Sequence, residues 1–235
     1  MFNPDARLTT MQFADGCVCY VIEDALLDPD GLVRYACERA GEFQPLEQKG
    51  YPGICLPATA EVTRNLELLF TWHLRRRFDA RRTLTMHCRL SLVTTPVPEL
   101  LPYQWLCHRD GAVLSPRESI QASVLYLFRD ESLGGTSFYV PARQPQEIAA
   151  LFSDSKCLPA AEFARRHRIE PGYMRGSNDY FTCIGTVPAK WNRLIFYDGS
   201  MLHSGQIEAP QRLTRDPLRG RLTLNGFFTC RRNIA

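Results

Sequence analysis

Long apolar runs are missing from this chain. None approaches the roughly 18 residues that a membrane-spanning helix needs, so a membrane protein is not expected. The opening residues, Met1-Phe2-Asn3-Pro4-Asp5, lack the basic stretch and apolar stretch of a secretory leader. Neither sign of charge dominates: 28 basic residues face 25 acidic ones, for a net charge of +3. That balance gives no electrostatic reason to expect nucleic acid as a partner. No Cys-x-x-Cys pair occurs among the nine cysteines, which removes zinc ribbons and thioredoxin-like redox motifs. The cysteines are odd in number and scattered, and several sit in apolar, strand-like runs, as buried free thiols do. A reducing, cytoplasmic setting is expected. Internal repeats and low-complexity segments are absent. Gly134-Gly135 is not a phosphate loop, because no helix opening with Lys-Ser/Thr follows it.

What is present is an ordinary globular composition, 45% hydrophobic and 11% aromatic over 235 residues, enough for one domain over 1–235 with its own core. Residues 1–14 read as an extended arm and Cys17–Ile22 as a strand. Asp28-Pro29-Asp30 opens a helix whose apolar face is Leu32, Val33, Ala36, Cys37 and Ala40. Glycines and prolines mark 44–57 as a loop. A second helix is expected over 59–78, buried through Val62, Leu66, Leu69, Phe70 and Leu74. Its end carries Arg75-Arg76-Arg77, where cations meet the negative end of the dipole. Strands are then expected at 84–94, 104–108, 121–128 and 137–140, helices at 145–170, and strands at 181–187, 193–197 and 221–230. Helices first and strands after argue for an α+β fold, with 1–83 supporting a β core over 84–230 that carries a helical insert at 141–190.

The chemistry gathers around Gln104-Trp105-Leu106-Cys107-His108-Arg109-Asp110-Gly111. On an extended strand, positions i and i+2 share a face, so His108 and Asp110 would project together. One more histidine completes a 2-His-1-carboxylate set, the ligand field of non-haem Fe(II) with open positions. His203 supplies it, following the strand-like Leu194-Ile195-Phe196-Tyr197-Asp198 and a turn. Further on, Arg221, Thr223 and Asn225 alternate with Leu222 and Leu224. An arginine on the inward face must be paired, and if no Asp or Glu pairs it, a ligand carboxylate is the natural partner.

These pieces, with Val124-Leu125-Tyr126-Leu127 and Gly134-Gly135-Thr136-Ser137-Phe138-Tyr139 between them, resemble the Fe(II)/2-oxoglutarate-dependent dioxygenases, in particular their prolyl-hydroxylase-like branch. The resemblance spans about 84–230. It implies a double-stranded β-helix (jelly-roll) core and a hydroxylase that uses Fe(II), 2-oxoglutarate and O2. It further implies His108, Asp110 and His203 as metal ligands and catalytic centre. Arg221 would hold the distal carboxylate of 2-oxoglutarate, aided by Thr223, and Tyr126 stands where this branch often places a tyrosine touching the same group. The spacing from His203 to Arg221 is longer than usual there, and Arg219 is the competing anchor. The presence of Asp110 points to oxygenation, since iron halogenases of this superfamily lack that carboxylate.

His87 reads as a core histidine, and His73 and His167 as helix-surface residues. Gln104 is a candidate substrate or cosubstrate contact. The insert, with Arg175 and Asn178, is either a lid or a packing element. A non-catalytic jelly-roll binding protein and a cupin-like metalloenzyme that does not use 2-oxoglutarate stay open beside the oxygenase reading. The substrate, a small molecule or a protein side chain, is not legible.

Overall fold

The first strand belongs to what the sequence presents as an arm. Leu8–Gln12 (β1) pairs antiparallel with Val18–Ile22 (β2), Thr10 opposite Tyr20. The pairing satisfies backbone groups that a free arm would leave to water. This is a computed structural model that describes residues 2–47, 50–111 and 115–233. Pro29–Glu38 forms α1, capped by the Asp28 carboxylate, which accepts from the Gly31 N–H at 2.8 Å.

The expected loop at 44–57 instead contributes two strands, Gln44–Pro45 (β3) and Gly53–Pro57 (β4); residues 48 and 49 within it lie outside the described residues. The buried run Ile54, Cys55 and Leu56 outweighs the Gly/Pro punctuation around it. Gly53 is needed there, because a Cβ would sit 1.9 Å from the Leu92 carbonyl oxygen.

Ala60–Leu69 (α2) starts on a Thr59 cap, its hydroxyl accepting from Val62 N at 3.2 Å. It runs on as a π turn, Phe70–Leu74, and a 3-10 turn, Arg75–Phe78, rather than as one α-helix. The buried residues Val62, Leu66, Phe70 and Leu74 recur every fourth position. On an ideal α-helix that stripe precesses by about 40° per step. The wider π turn absorbs the drift and keeps Leu74 on the buried side.

The remaining elements are Ala80–Val93 (β5), Glu118–Tyr126 (β6), Thr136–Pro141 (β7), Pro145–Cys157 (α3), Ala160–His167 (α4), Phe181–Val187 (β8), Leu194–Asp198 (β9), Leu202–Gly205 (β10) and Arg221–Arg232 (β11). They form two antiparallel sheets: eight strands in the order β1-β2-β9-β6-β11-β5-β4-β3, and three in the order β10-β7-β8. One face of the large sheet, including Leu90, Leu92, Phe196, Leu222 and Phe228, packs on α1, α2 and the turns after α2. On its other face Cys19, Ala122, Tyr126 and Tyr197 share a core with Phe138 and Val187 of the small sheet, so the sheets face each other. Helices α3 and α4 pack through Leu151 and Phe163 against Trp105, Cys107 and Leu202. Among the described residues no helix is long and apolar enough to cross a membrane.

The expected strand at 104–108 is not formed. Pro102–Trp105 is a 3-10 turn. Its Pro102 presets the turn geometry, and the buried Trp105 indole donates to the Leu100 carbonyl at 3.2 Å. The helical layer depends on Phe70, whose ring lies 4.2 Å from that of Phe228. Phe70→Ala is expected to destabilise the protein by about 3–5 kcal/mol through the cavity it leaves, read from urea unfolding. A loss under about 1 kcal/mol would mean that the helices contribute little to the core.

Candidate metal centre and cavity

Backbone pairing brings the two halves of the chain together here. His108 N donates to His203 O and His203 N to His108 O, both at 2.9 Å, a two-bond bridge between the segment after the 3-10 turn and β10. Asp110 N donates to Gly199 O at 2.7 Å, and Gly199 N donates to Ile120 O at 2.9 Å. This packing is tight: a Cβ on Gly199 would lie 3.1 Å from that of Asp110. As a result His108, Asp110 and His203 place one donor atom each within 4.8 Å of one another.

The proton positions follow from the partners. His203 Nδ1 lies 2.9 Å from the Met201 carbonyl, which only accepts, so Nδ1 carries the proton. Its Nε2 lone pair therefore faces Asp110 Oδ2 at 3.3 Å, an oxygen that is buried with no hydrogen-bond partner. His108 Nε2 lies 3.8 Å from Asp110 Oδ1. Converging lone pairs around an orphaned carboxylate oxygen are what a divalent cation satisfies. Burial pushes the Asp110 carboxyl up to about 6, against the pull of His108 and Arg89. Burial lowers His203 to about 4. His108, recessed within the cavity and beside His203, is also lowered to about 4. At neutral pH the set is therefore two neutral imidazoles and one carboxylate, the metal-ligating form.

That order sets a pH dependence. As pH falls through about 6, Asp110 takes up a proton that competes with metal, while the imidazoles compete only near pH 4. Metal affinity is expected to be flat above pH 7 and to weaken by about tenfold per unit below 6, read by Co(II) absorption titrations from pH 8 to 5. Unchanged affinity at pH 5 would mean that Asp110 is not a ligand.

The three side chains open on a cavity of about 1320 Å³, with Arg221 and Thr223 also on its wall. Arg221 is 5% exposed. Its Nε donates to the carbonyls of Leu133 and Gly134 at 3.0 and 3.1 Å, and Nη2 to that of Gly135 at 2.8 Å. Carbonyls orient the guanidinium but do not neutralise it, and no carboxylate among the described residues forms an ion pair with it. Thr223 lies 3.5 Å through its hydroxyl from Ser91 O. Tyr126 sits behind the wall, fully buried. Its hydroxyl bonds that of Thr136 at 2.8 Å, and Thr136 forms the cavity surface. Arg212 turns away to Asp130, 2.6 Å distant, and Arg215 and Arg219 are exposed outside the cavity. Gln104 reaches the cavity; Arg109 lies exposed at its edge.

The sequence reading missed Tyr51, Tyr173 and Arg89, all on the cavity wall. The Tyr51 hydroxyl is buried without a hydrogen-bond partner among the described residues. Burial raises its pKa well above the usual phenol value despite the Arg221 charge acting on it, so it keeps its proton. Tyr173 donates to the Thr95 carbonyl at 2.6 Å. Tyr51 lies between Gly50 and Pro52, which reads as loop, and nothing local marks it. Arg89 carried a usable signal: it alternates with Leu90 and Leu92 on a strand whose leucines are buried.

A family model described as "Family of unknown function (DUF6445)" matches residues 4–228. No curated protein matches the chain. Among solved structures, the non-heme alpha ketoglutarate dependent carbocyclase SnoK from nogalamycin biosynthesis superposes with a TM-score of 0.51 at 15% identity, covering 90% of this chain and 79% of that one. A Pseudomonas putida prolyl-4-hydroxylase gives 0.46 at 15% identity, with 88% and 86% coverage. Iron-bound HygX from Streptomyces hygroscopicus gives 0.49 at 13% identity, with 92% and 83% coverage. The likeness to SnoK is one of fold. By the match over nearly its whole length, the chain belongs to the family of unknown function DUF6445.

Proposed function

We propose that this chain is an Fe(II)- and 2-oxoglutarate-dependent oxygenase built on a double-stranded β-helix, residues 1–235 acting as one unit. One observation carries the reading. A His-Asp-His donor set with its lone pairs converging, and a buried arginine with no carboxylate partner among the described residues, open on the same cavity. The fold shared with SnoK supports it.

In this reading His108, Asp110 and His203 would hold the metal, and the cavity they line would admit its further ligands. Arg221, set by three carbonyls, takes the distal carboxylate of 2-oxoglutarate. The Tyr51 hydroxyl donates to that carboxylate, Thr223 joins it by turning its hydroxyl from the 3.5 Å bond it gives the Ser91 carbonyl, and Tyr126 acts through Thr136 as a positioning residue. Burial of this end keeps water from competing for the anion. When bound, Fe(II) with 2-oxoglutarate and O2 supplies oxidation of a substrate C–H bond to C–OH, with decarboxylation of the cosubstrate to succinate.

Supplied with Fe(II), 2-oxoglutarate and air, the purified protein is expected to form succinate slowly even without a prime substrate, read by NMR of the reaction mixture. A folded sample that binds neither Fe(II) nor 2-oxoglutarate rejects the reading.

A further inference from the structure

The cavity carries more positive charge than the proposed cosubstrate uses. Arg221 is matched by the distal carboxylate, and the divalent metal by Asp110 and the other carboxylate. Among the described residues, four further cations line the same cavity, Arg89, Arg109, Arg143 and Lys156, against one further carboxylate, Glu47. None of the four makes an ion pair with a carboxylate among the described residues. Arg109, Arg143 and Lys156 are exposed at the rim.

Arg89 is different, because it is built into the sheet. It lies on β5 directly opposite Asn225 of β11, so both point into the cavity face. Its guanidinium carbon stands 4.7 Å from the centroid of the Phe227 ring. Its Nε is buried with no acceptor among the described residues. It shares the cavity wall with His108, Asp110 and His203. Arg89 is half-buried, with its Nε shut off from water; an unmet buried donor is costly, and the planar fork of a guanidinium matches a carboxylate or phosphate. The ring contact orients the fork but satisfies none of its donors.

We propose that Arg89 binds an oxyanion, carboxylate or phosphate, carried by the prime substrate. The rim cations draw that anion into the cavity. The substrate is thus anionic, its oxyanion held by Arg89 in the same cavity as the candidate metal centre. Calling the anion a substrate rests on the oxygenase reading; the anion site itself does not.

The test uses the full chain, isotope-labelled and metal-free, titrated separately with inorganic phosphate and with benzoate. Arginine Nε–H resonances are followed by NMR, with calorimetry in parallel. The Arg89 resonance is expected to move and saturate, and the anion that saturates it at lower concentration identifies the group. The effect persists in Arg221→Met, while Arg89→Met weakens the calorimetric affinity by about tenfold or more. An unmoved Arg89 resonance, a drift that never saturates, or loss of the effect in Arg221→Met overturns the proposal. The wild-type resonance decides even if Arg89→Met does not fold. Saturable binding at Arg89 without any succinate formation rejects the oxygenase reading and leaves an anion-binding site. Succinate formation with a silent Arg89 rejects the anion site and leaves the oxygenase.

Discussion

His203→Ala is expected to lower metal affinity by at least about 100-fold and to take succinate formation down to the level of the metal-free protein. His203 contributes the one nitrogen whose lone pair is fixed by a carbonyl, at Met201, and aimed at the buried Asp110 oxygen. Without it, His108 and Asp110 remain as a two-point site whose imidazole side chain is 58% exposed. The substitution keeps the bridge between the two histidines, which is made by backbone groups, but removes a buried ring whose centroid lies 4.7 Å from that of Tyr197, so a folded variant is verified by urea unfolding. Two readouts separate binding from turnover. Co(II) absorption reports the site directly. Thermal or urea unfolding reports the stabilisation from metal, about 2.7 kcal/mol at a hundredfold excess over Kd, which disappears in the variant. Wild-type metal affinity in His203→Ala would end the assignment of this triad.

Arg221→Met has the second large effect, and it is selective. Affinity for 2-oxoglutarate is expected to fall by two orders of magnitude or more, as when one partner of a buried charge pair is removed at about 2–5 kcal/mol. Metal affinity stays at the wild-type level, since Arg221 makes its hydrogen bonds to the 133–135 carbonyls and not to the triad. Those three carbonyls lose their donor, so stability falls by about 1–3 kcal/mol, and urea unfolding must show a folded variant at the assay temperature. Arg221→Lys keeps the charge and loses the fork, and its affinity falls between the two. Arg219→Met is the control: its side chain is exposed outside the cavity and its removal changes nothing. A 2-oxoglutarate affinity that follows Arg219 instead would reassign the anchor.

Short-range information was readable where one residue decides the local structure. Asp28 before Pro29 set the start of α1, and Thr59 set that of α2. The alternation Arg221, Thr223, Asn225 against Leu222, Leu224 assigned the two faces of β11 correctly, polar residues to the cavity and leucines to the helices. It worked because a strand has a period of two and this one is buried on both sides. The prolines and glycines around β4 misled, because their effect is local while the burial of Ile54 to Leu56 is tertiary. The strand expected before His108 failed for the same reason. Trp105 and Leu106 look apolar and extended, but their burial is against α4 and the residues around it, not in a sheet.

By itself the sequence determined the candidates: one His-x-Asp pair, few further histidines, and an arginine alternating with leucines. It also determined the helix starts and the absence of a membrane-spanning run. Only the tertiary structure decided that His108 and His203 are bonded neighbours although 95 positions apart in the chain. It alone placed Arg221 rather than Arg219 in the cavity, and put Tyr51 and Arg89 beside the site. The reason is the reach of each interaction. Caps, turns and strand alternation act over a few covalent bonds and are written in adjacent letters. A cavity is made by packing between sheets and helices, and which side chains meet there depends on register and crossover, which no short stretch encodes.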